Sequence, residues 1–474
     1  MKYRIKYITI CSLAIAALAG CKRNFIELSD PNKVYSVNYI KDAVSLKSAL
    51  TADYNTLQPI YNGVFQAFGD VASDNSTAQI GGPAYNLLDG FTFDQTWASF
   101  STIWNASYKS IAQSNLVIVK GASVSMDETL RSRYLAEAKF IRALNYFNLV
   151  QLFGAVPLVT TPLDDYKDSY NYGRQPVADV YTQIVKDLTE AAAVLSPGYT
   201  GADIGRVTSG AANALLGKVY LTQKKYNEAL TALNMVTGYS LLSDFNSVFS
   251  NSNEMNNEII FAVRYTRALP GLGNSIGINM LPSTVSMAGS PGARYNNEMP
   301  EWAGLYSAGD KRAAISVVYS AGGLNTEYYC AKFIDAQATA ATNAENDWIV
   351  LRYADVLLMK AEALNELNRT VEALDPINEV RQRAGLTPLV ALTQSGFRLA
   401  VETERRLELC MEGHRWFDLV RTGRALEVMN AHFAANTTYY GATPPVMKAH
   451  HVLFPVPFAE TQINTKLLPN NTGY

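Results

Sequence analysis

The stretch ALLGKVYLTQKKYNEALTALNMV at 214–236 returns in altered form at 356–380 as VLLMKAEALNELNRTVEALDPINEV. Leu215, Leu216 and Lys218 align with Leu357, Leu358 and Lys360. Past a two-residue insertion, Glu228, Ala229, Leu230 and Asn234 align with Glu372, Ala373, Leu374 and Asn378. Each copy reads as a helix, a short turn and a second helix, with small residues where the pair must approach closely. A unit of this kind buries its apolar face only by stacking on neighbours. The predicted fold is therefore mainly α, built from packed helix pairs.

These pairs resemble tetratricopeptide units, and the surrounding sequence extends the pattern. Ser125 with Glu128 reads as a capping box. The helix it opens carries Phe140, Ala143, Leu144, Phe147 and Val150 on one face and stops at Gly154 and Pro157. A further apolar face runs from Val177 through Ile184 and Leu188 to Leu195, and Thr208 reads as the cap of the helix after it. Two regions break the period. EIIFAVRY at 258–265 alternates as a strand does, whereas 54–100 and 266–347 are irregular loop-rich segments, with short strands at most. Long aperiodic segments in a compact protein usually carry function, so ligand binding is expected there.

The N-terminus reads as a lipoprotein signal peptide over 1–20, with Lys2, Arg4 and Lys6 ahead of a short apolar run. Leu18-Ala19-Gly20-Cys21 has the form of a bacterial lipobox, which makes Cys21 the expected lipidation site and 21–474 a single mature domain. Removing 1–20 leaves 37 basic against 42 acidic residues, a formal charge of −5. That balance excludes a nucleic-acid binder relying on a broad basic surface. Cys330 and Cys410 would remain and read as buried thiols rather than a bridge.

Motifs for chemistry are sparse. There is no Walker A sequence, HExxH or paired CxxC, so no metal and no cofactor is expected. His450 and His451 are adjacent and would point apart in an extended segment. Gly273-Asn274-Ser275-Ile276-Gly277 fits GxSxG, with His414 downstream, but Pro270 and Pro282 crowd the strand and helix that a nucleophile elbow needs.

Several motifs fall in one order along the chain: WNASYKSIAQSN (104–115), RYLAEAKFIRALNYFNLVQLFGAVPLV (133–159), GRVTSGAANALLGKVYL (205–221), NNEIIFAVRY (256–265), LRYADVLLMKAEALNEL (351–367), NEVRQRAG, ERRLELCMEGHRWFDLVRTGR (404–424) and FPVPFAETQIN with LLPNNTGY. Together they resemble the SusD/RagB family of substrate-binding lipoproteins. The resemblance implies a SusD-like fold in which tetratricopeptide-like pairs support an irregular ligand-binding region. It also implies a non-catalytic role: capture of nutrients, usually glycans, at the outer face of the outer membrane. The implied partner is a SusC-like TonB-dependent transporter, and the implied ligand an oligosaccharide or a peptide. Lys22, Arg23 and Asn24 depart from the acidic residues that often follow the lipidated cysteine in surface lipoproteins.

The charge-dense stretch 404–424 reads as an ion-pair network rather than an active site. Glu404, Glu408 and Glu412 share a stripe at i+4 spacing and need cationic partners, for which Arg405, Arg406, Arg415 and Arg421 are the expected suppliers. Trp104, Trp348 and Trp416 sit in helix motifs and read as core. Sugar rings stack their C–H faces on flat aromatics while their hydroxyls take polar partners. The ligand-binding candidates are accordingly Trp97, Trp302 and Tyr295, with Tyr85 and Tyr306 nearby in sequence, and Asp74 and Asn75 for hydroxyls. Two other functions stay open: a lipoprotein scaffold for protein assembly, and a serine hydrolase using Ser275.

Overall fold

The computed structural model describes residues 39–78, 85–163, 165–321 and 327–474. Its longer helices are α1 (Ala43–Asn55), α2 (Ala98–Gly121), α3 (Glu128–Phe153), α4 (Val177–Val194), α5 (Ser209–Thr222), α6 (Tyr226–Asn234), α7 (Tyr353–Glu366), α8 (Thr370–Arg383), α9 (Gln394–Glu408), α10 (Arg415–Thr422) and α11 (Ala425–Ala435). From α1 to α8 each helix packs on the next, and α9 returns against α7 and α8. Cys21 and the expected signal segment 1–20 lie outside the described residues; residues 42–474 form one compact unit.

The two repeats are both helix hairpins, α5–α6 and α7–α8, and α6 packs directly on α7. Their turns match as well: Lys224 and Asn368 both adopt a left-handed backbone, with φ of 59° and 61°. Thr208 caps α5, accepting from Ala211 N at 3.0 Å. The cap of α3 differs from the expected Ser125 box. Asp127 accepts from Leu130 N at 2.8 Å, because the helix begins at Glu128 and only the residue just before it can reach that amide. Inside α3, Arg142 clasps Asp187 of α4 through two bonds of 2.7 and 2.9 Å and reaches Asn115 of α2, so one guanidinium ties three helices.

Short strands include β1 (Ser76–Thr77), β2 (Ile259–Val263), β3 (Asn297–Glu298), β4 (Val318–Ser320), β5 (Glu327–Tyr329) and β6 (Trp348–Arg352); β1, β3, β4 and β5 lie within the irregular regions, and β2 and β6 flank the second of them. β1, β3, β5 and β4 form one antiparallel sheet in that order. The predicted strand at 258–265 is β2, fully buried and paired with β6. Trp348 is core, as expected, but on β6 rather than in a helix.

Segment 54–100 is not structureless. It contains short helices at Gln58–Tyr61, Val64–Gln66 and Asn86–Asp89 and a π-helical turn at Ala67–Val71, and every residue from 65 to 78 is buried. A segment enclosed on all sides has no apolar face to alternate with a polar one, so it shows no period. Its fit is close: a Cβ on Gly69 would lie 2.4 Å from the Cα of Gly413.

Residues 404–424 form the predicted network, with different partners. Arg352 bonds Glu412 at 2.7 and 2.9 Å, Glu408 at 2.6 Å and Glu258 at 2.9 Å, all buried. Arg312 joins Glu404 to Glu408, Arg381 takes the other Glu404 oxygen, Arg383 grips Glu408 and Glu258, and Lys332 bonds Glu412. The four expected arginines are engaged elsewhere. Arg405 holds Asp355 and Asp418, and Arg421 holds Glu362 and Asp418. Arg406 and Arg415 both hold Asp74, and Arg415 also reaches Glu402. Geometry explains the exchange: neighbours on a helix point about 100° apart, so Arg405 cannot turn onto the face of Glu404 and Glu408. Lys332 and Arg352 also donate to the carbonyls of Glu408 and Cys410, satisfying the end of α9. Cys330 and Cys410 are buried and are not joined in a disulfide.

Burial alone would raise the Glu408 carboxyl, but Arg383, Arg352 and Arg312 outweigh it and hold it well below the usual range. Asp70 goes the other way. Burial pushes it up to about 8, although Gly413 N donates to it at 2.9 Å.

Arg352→Met should cost about 3–5 kcal/mol in urea unfolding at pH 7, since Glu258, Glu408 and Glu412 lose a buried partner. That cost should shrink as pH falls below the ordinary carboxylate range, because burial would raise Glu408 and Glu412 and Arg352 is among the groups that hold them below that range in the folded wild type. Asp70 is neutral when folded and ionised when unfolded at pH 7, so its contribution falls as pH rises from about 4 to 8. Asp70→Asn should remove that slope, measured as unfolding free energy against pH; parallel curves for variant and wild type would rule out the shifted carboxyl.

Candidate functional site

Three half-buried aromatic rings from separate parts of the chain meet at the surface: Tyr85, Trp97 and Tyr295. Tyr85 stands between the other two, its centroid 6.1 Å from Trp97 and 5.8 Å from Tyr295, with interplanar angles of 82° and 87°. Such edge-to-face contacts suit the ring quadrupoles and leave part of each ring uncovered.

Each ring is held by core structure. Trp97 occupies the cap position of α2 with an extended backbone and packs edge-on against Phe68 and Phe100. Tyr85 leads into the short helix Asn86–Asp89. Asp89 anchors that helix by accepting from Thr77 Oγ1, Ala78 N and Tyr440 OH at 2.7–2.9 Å. Tyr295 is carried by a strap whose amides at 293–296 donate to the carbonyls of Ile278, Asn279 and Leu281. The strap requires Gly292, where a Cβ would lie 2.1 Å from the Leu281 oxygen. One residue beyond Tyr295, Asn296 accepts from Ser76 Oγ at 2.5 Å, which ties the strap to β1.

The structure thus brings Trp97 and Tyr295 together, with Tyr85 as the link. Asp74, Asn75 and Trp302 fall elsewhere, in a buried knot around Arg406. Trp302 is 0% exposed, with the Arg406 guanidinium 4.9 Å over its ring. Arg406 donates to the Asn75 side chain and the Asp74 carbonyl, and Arg415 binds the Asp74 carboxylate at 2.7 and 3.0 Å. Burial would raise Asp74, yet Arg406 and Arg415 hold it below the ordinary carboxylate range. The acceptors expected to meet a hydroxyl are therefore engaged by guanidiniums, and the Trp302 ring is covered. Sequence adjacency to loops could not distinguish the covered tryptophan from the open one.

The hydrolase arrangement is not assembled. Both the amide and the hydroxyl of Ser275 donate to Asn62 Oδ1, at 2.9 and 3.0 Å. His414 is buried beside Lys218, its Nδ1 2.9 Å from Nζ, and burial followed by that lysine lowers it to about 3. Among the described residues no group of three or more His, Cys, Asp or Glu could hold a metal ion, and no helix is long and apolar enough to cross a membrane.

Comparison with known proteins agrees with this architecture. The model described as the SusD family matches residues 318–474, and one described as "Starch-binding associating with outer membrane" matches 24–221. SusD-like protein P25 of Formosa agariphila is 30% identical, over 79% of this chain and 80% of its own. A solved laminarin-binding SusD-like protein is 31% identical with a TM-score of 0.79, covering 92% of this chain and 100% of the other. Surface glycan-binding protein A from Bacteroides fluxus shares the fold at a TM-score of 0.80 and 23% identity, over 92% of this chain and 100% of its own. From its helical scaffold to its run of motifs, the chain belongs to the SusD family.

Proposed function

We propose that this protein captures an oligosaccharide on the Tyr85–Trp97–Tyr295 shelf and leaves it chemically unaltered. The observation that carries the reading is the shelf itself: three partly open rings, fixed from below by core contacts, offering flat surfaces to the C–H faces of sugars. The 31% identical relative whose name includes laminarin binding supports a glycan ligand, as does the starch-binding description of the model matching 24–221. The phenols of Tyr85 and Tyr295 bring polar groups to the same shelf, where they can meet sugar hydroxyls. Lipidation at Cys21 would hold the chain at the outer membrane, facing outward, and a SusC-like TonB-dependent transporter would receive the ligand. Among the described residues, neither a peptide ligand nor a scaffold role has a comparable feature in its favour.

Trp97→Ala should weaken binding of laminarin or starch oligosaccharides about tenfold, near 1.4 kcal/mol, with a small change in Tm. Trp302→Ala should do the opposite, costing about 3–5 kcal/mol of stability while affinity per folded molecule holds, as isothermal titration on refolding-checked samples would show. Unchanged affinity in Trp97→Ala would remove the shelf from consideration. Cys21→Ala should release the chain from the outer-membrane fraction and abolish palmitate labelling; a variant that still labels and sediments with membrane would defeat the lipid-anchor reading.

A further inference from the structure

A cleft of about 460 Å³ opens where the turn of the first helix hairpin meets α7, α9 and α10. That volume lies in the range of small-ligand sites. The shelf residues do not line it.

Its walls are charged and, apart from the exposed Lys224, matched in ion pairs. Arg421 grips Glu362 and Asp418, Arg405 joins Asp418 to Asp355, and Arg398 makes two bonds to Glu366 at the rim. Arg424 lies 3.0 Å from Glu402. Fixed donors and acceptors therefore alternate around a nearly neutral space. A guanidinium carries five N–H donors, and the Arg398 side chain, 49% exposed, has capacity beyond its two bonds to Glu366. Apolar surface sits among these groups: Leu221 and Tyr226 line the cleft, and Leu399 stands 54% exposed at its wall.

Except beside Lys224 at the hairpin turn, an ionic ligand would have to compete with formed ion pairs. A neutral polyol would not, since each hydroxyl can donate to a carboxylate and accept from a guanidinium while the pairs stay intact. The C–H face of a sugar ring would meanwhile cover Leu399 and Tyr226. We propose that this cleft is a second binding site, for a short neutral oligosaccharide, separate from the shelf. The ligand class rests on the function proposed above, so the test must read the two sites independently.

Hydrogen–deuterium exchange of the mature chain with maltotriose and laminaritriose does so. Protection is expected over 392–405 and 418–424, and it should persist in the Trp97→Ala/Tyr295→Ala variant. Ser395→Trp places an indole in the cleft mouth from an exposed position; it should abolish that protection and spare the shelf segments 85–100 and 292–296. Should Ser395→Trp fold poorly, Leu399→Gln replaces it, with a loss of cleft affinity of about fivefold or more expected on removing the apolar contact. Cleft peptides that stay silent while the shelf responds, or protection that survives Ser395→Trp, would overturn the second site and leave the shelf standing. A responding cleft beside a silent shelf would do the reverse. Silence of both regions towards both sugars would overturn both sites for neutral glucans.

Discussion

The buried contact between Arg352 and the carboxylates of Glu258, Glu408 and Glu412 organises the rest of the molecule. Arg352 ends β6 and immediately precedes α7, so it fixes where the buried strand pair hands over to the second repeat. Its partners come from the residue before β2 and from the end of α9 and the turn after it. Charges this deep are tolerated only when each has a partner, which obliges the sheet, both helices and the loop bearing Lys332 to adopt one mutual arrangement. A purely apolar contact would accept small slides between these elements. A set of shared guanidinium–carboxylate bonds does not.

The separation between this framework and the shelf is equally physical. The carboxylate, amide and indole expected at the ligand face, Asp74, Asn75 and Trp302, are absorbed by Arg406 and Arg415. They hold the buried segment that leads into β1, and β1 pairs with the strand just beyond Tyr295. The knot therefore supports the shelf from behind. Trp97 and Tyr295 can remain partly open because none of the deep charges depends on them.

How far the sequence can be read follows the same division. Helices with one wet side reveal themselves as periodicity: α4 buries Val180, Ile184, Leu188 and Ala191, and α6 buries Ala229, Ala232 and Leu233, whereas α3 from 140 to 150, α5 and α7 are buried almost all round and are legible instead through helix length, the internal repeat and caps such as Thr208. Segment 65–78 is buried on every side, so its pattern carries no period and resembles a loop. The acidic stripe 404, 408, 412 is legible as a network, but its partners are not. Arg312, Lys332, Arg352 and Arg383 are isolated in sequence and converge only through the fold. Within the candidate site, Trp97 and Trp302 have similar sequence surroundings, and only the placement of Arg406 above one ring separates them. Tyr85 as the link between the other two rings is likewise a property of tertiary placement.

The fit of the 65–78 plug against the turn at 409–413 has a consequence for the order of assembly. Asp70 is met by Gly413, 343 positions later, Asp74 by Arg415, 341 positions later, and Asn75 by Arg406, 331 positions later. Contacts of such span carry a large loop-closure cost and form late. The helical stack from α2 to α4 can form from neighbours close in sequence, and the plug meets Phe100 of that stack and the nearby Asp89, but its contacts with 406–415 need nearly the whole chain. The finished molecule is accordingly tied across spans of 331 to 343 positions, and a chain interrupted before residue 404 would leave segment 65–78 without these partners.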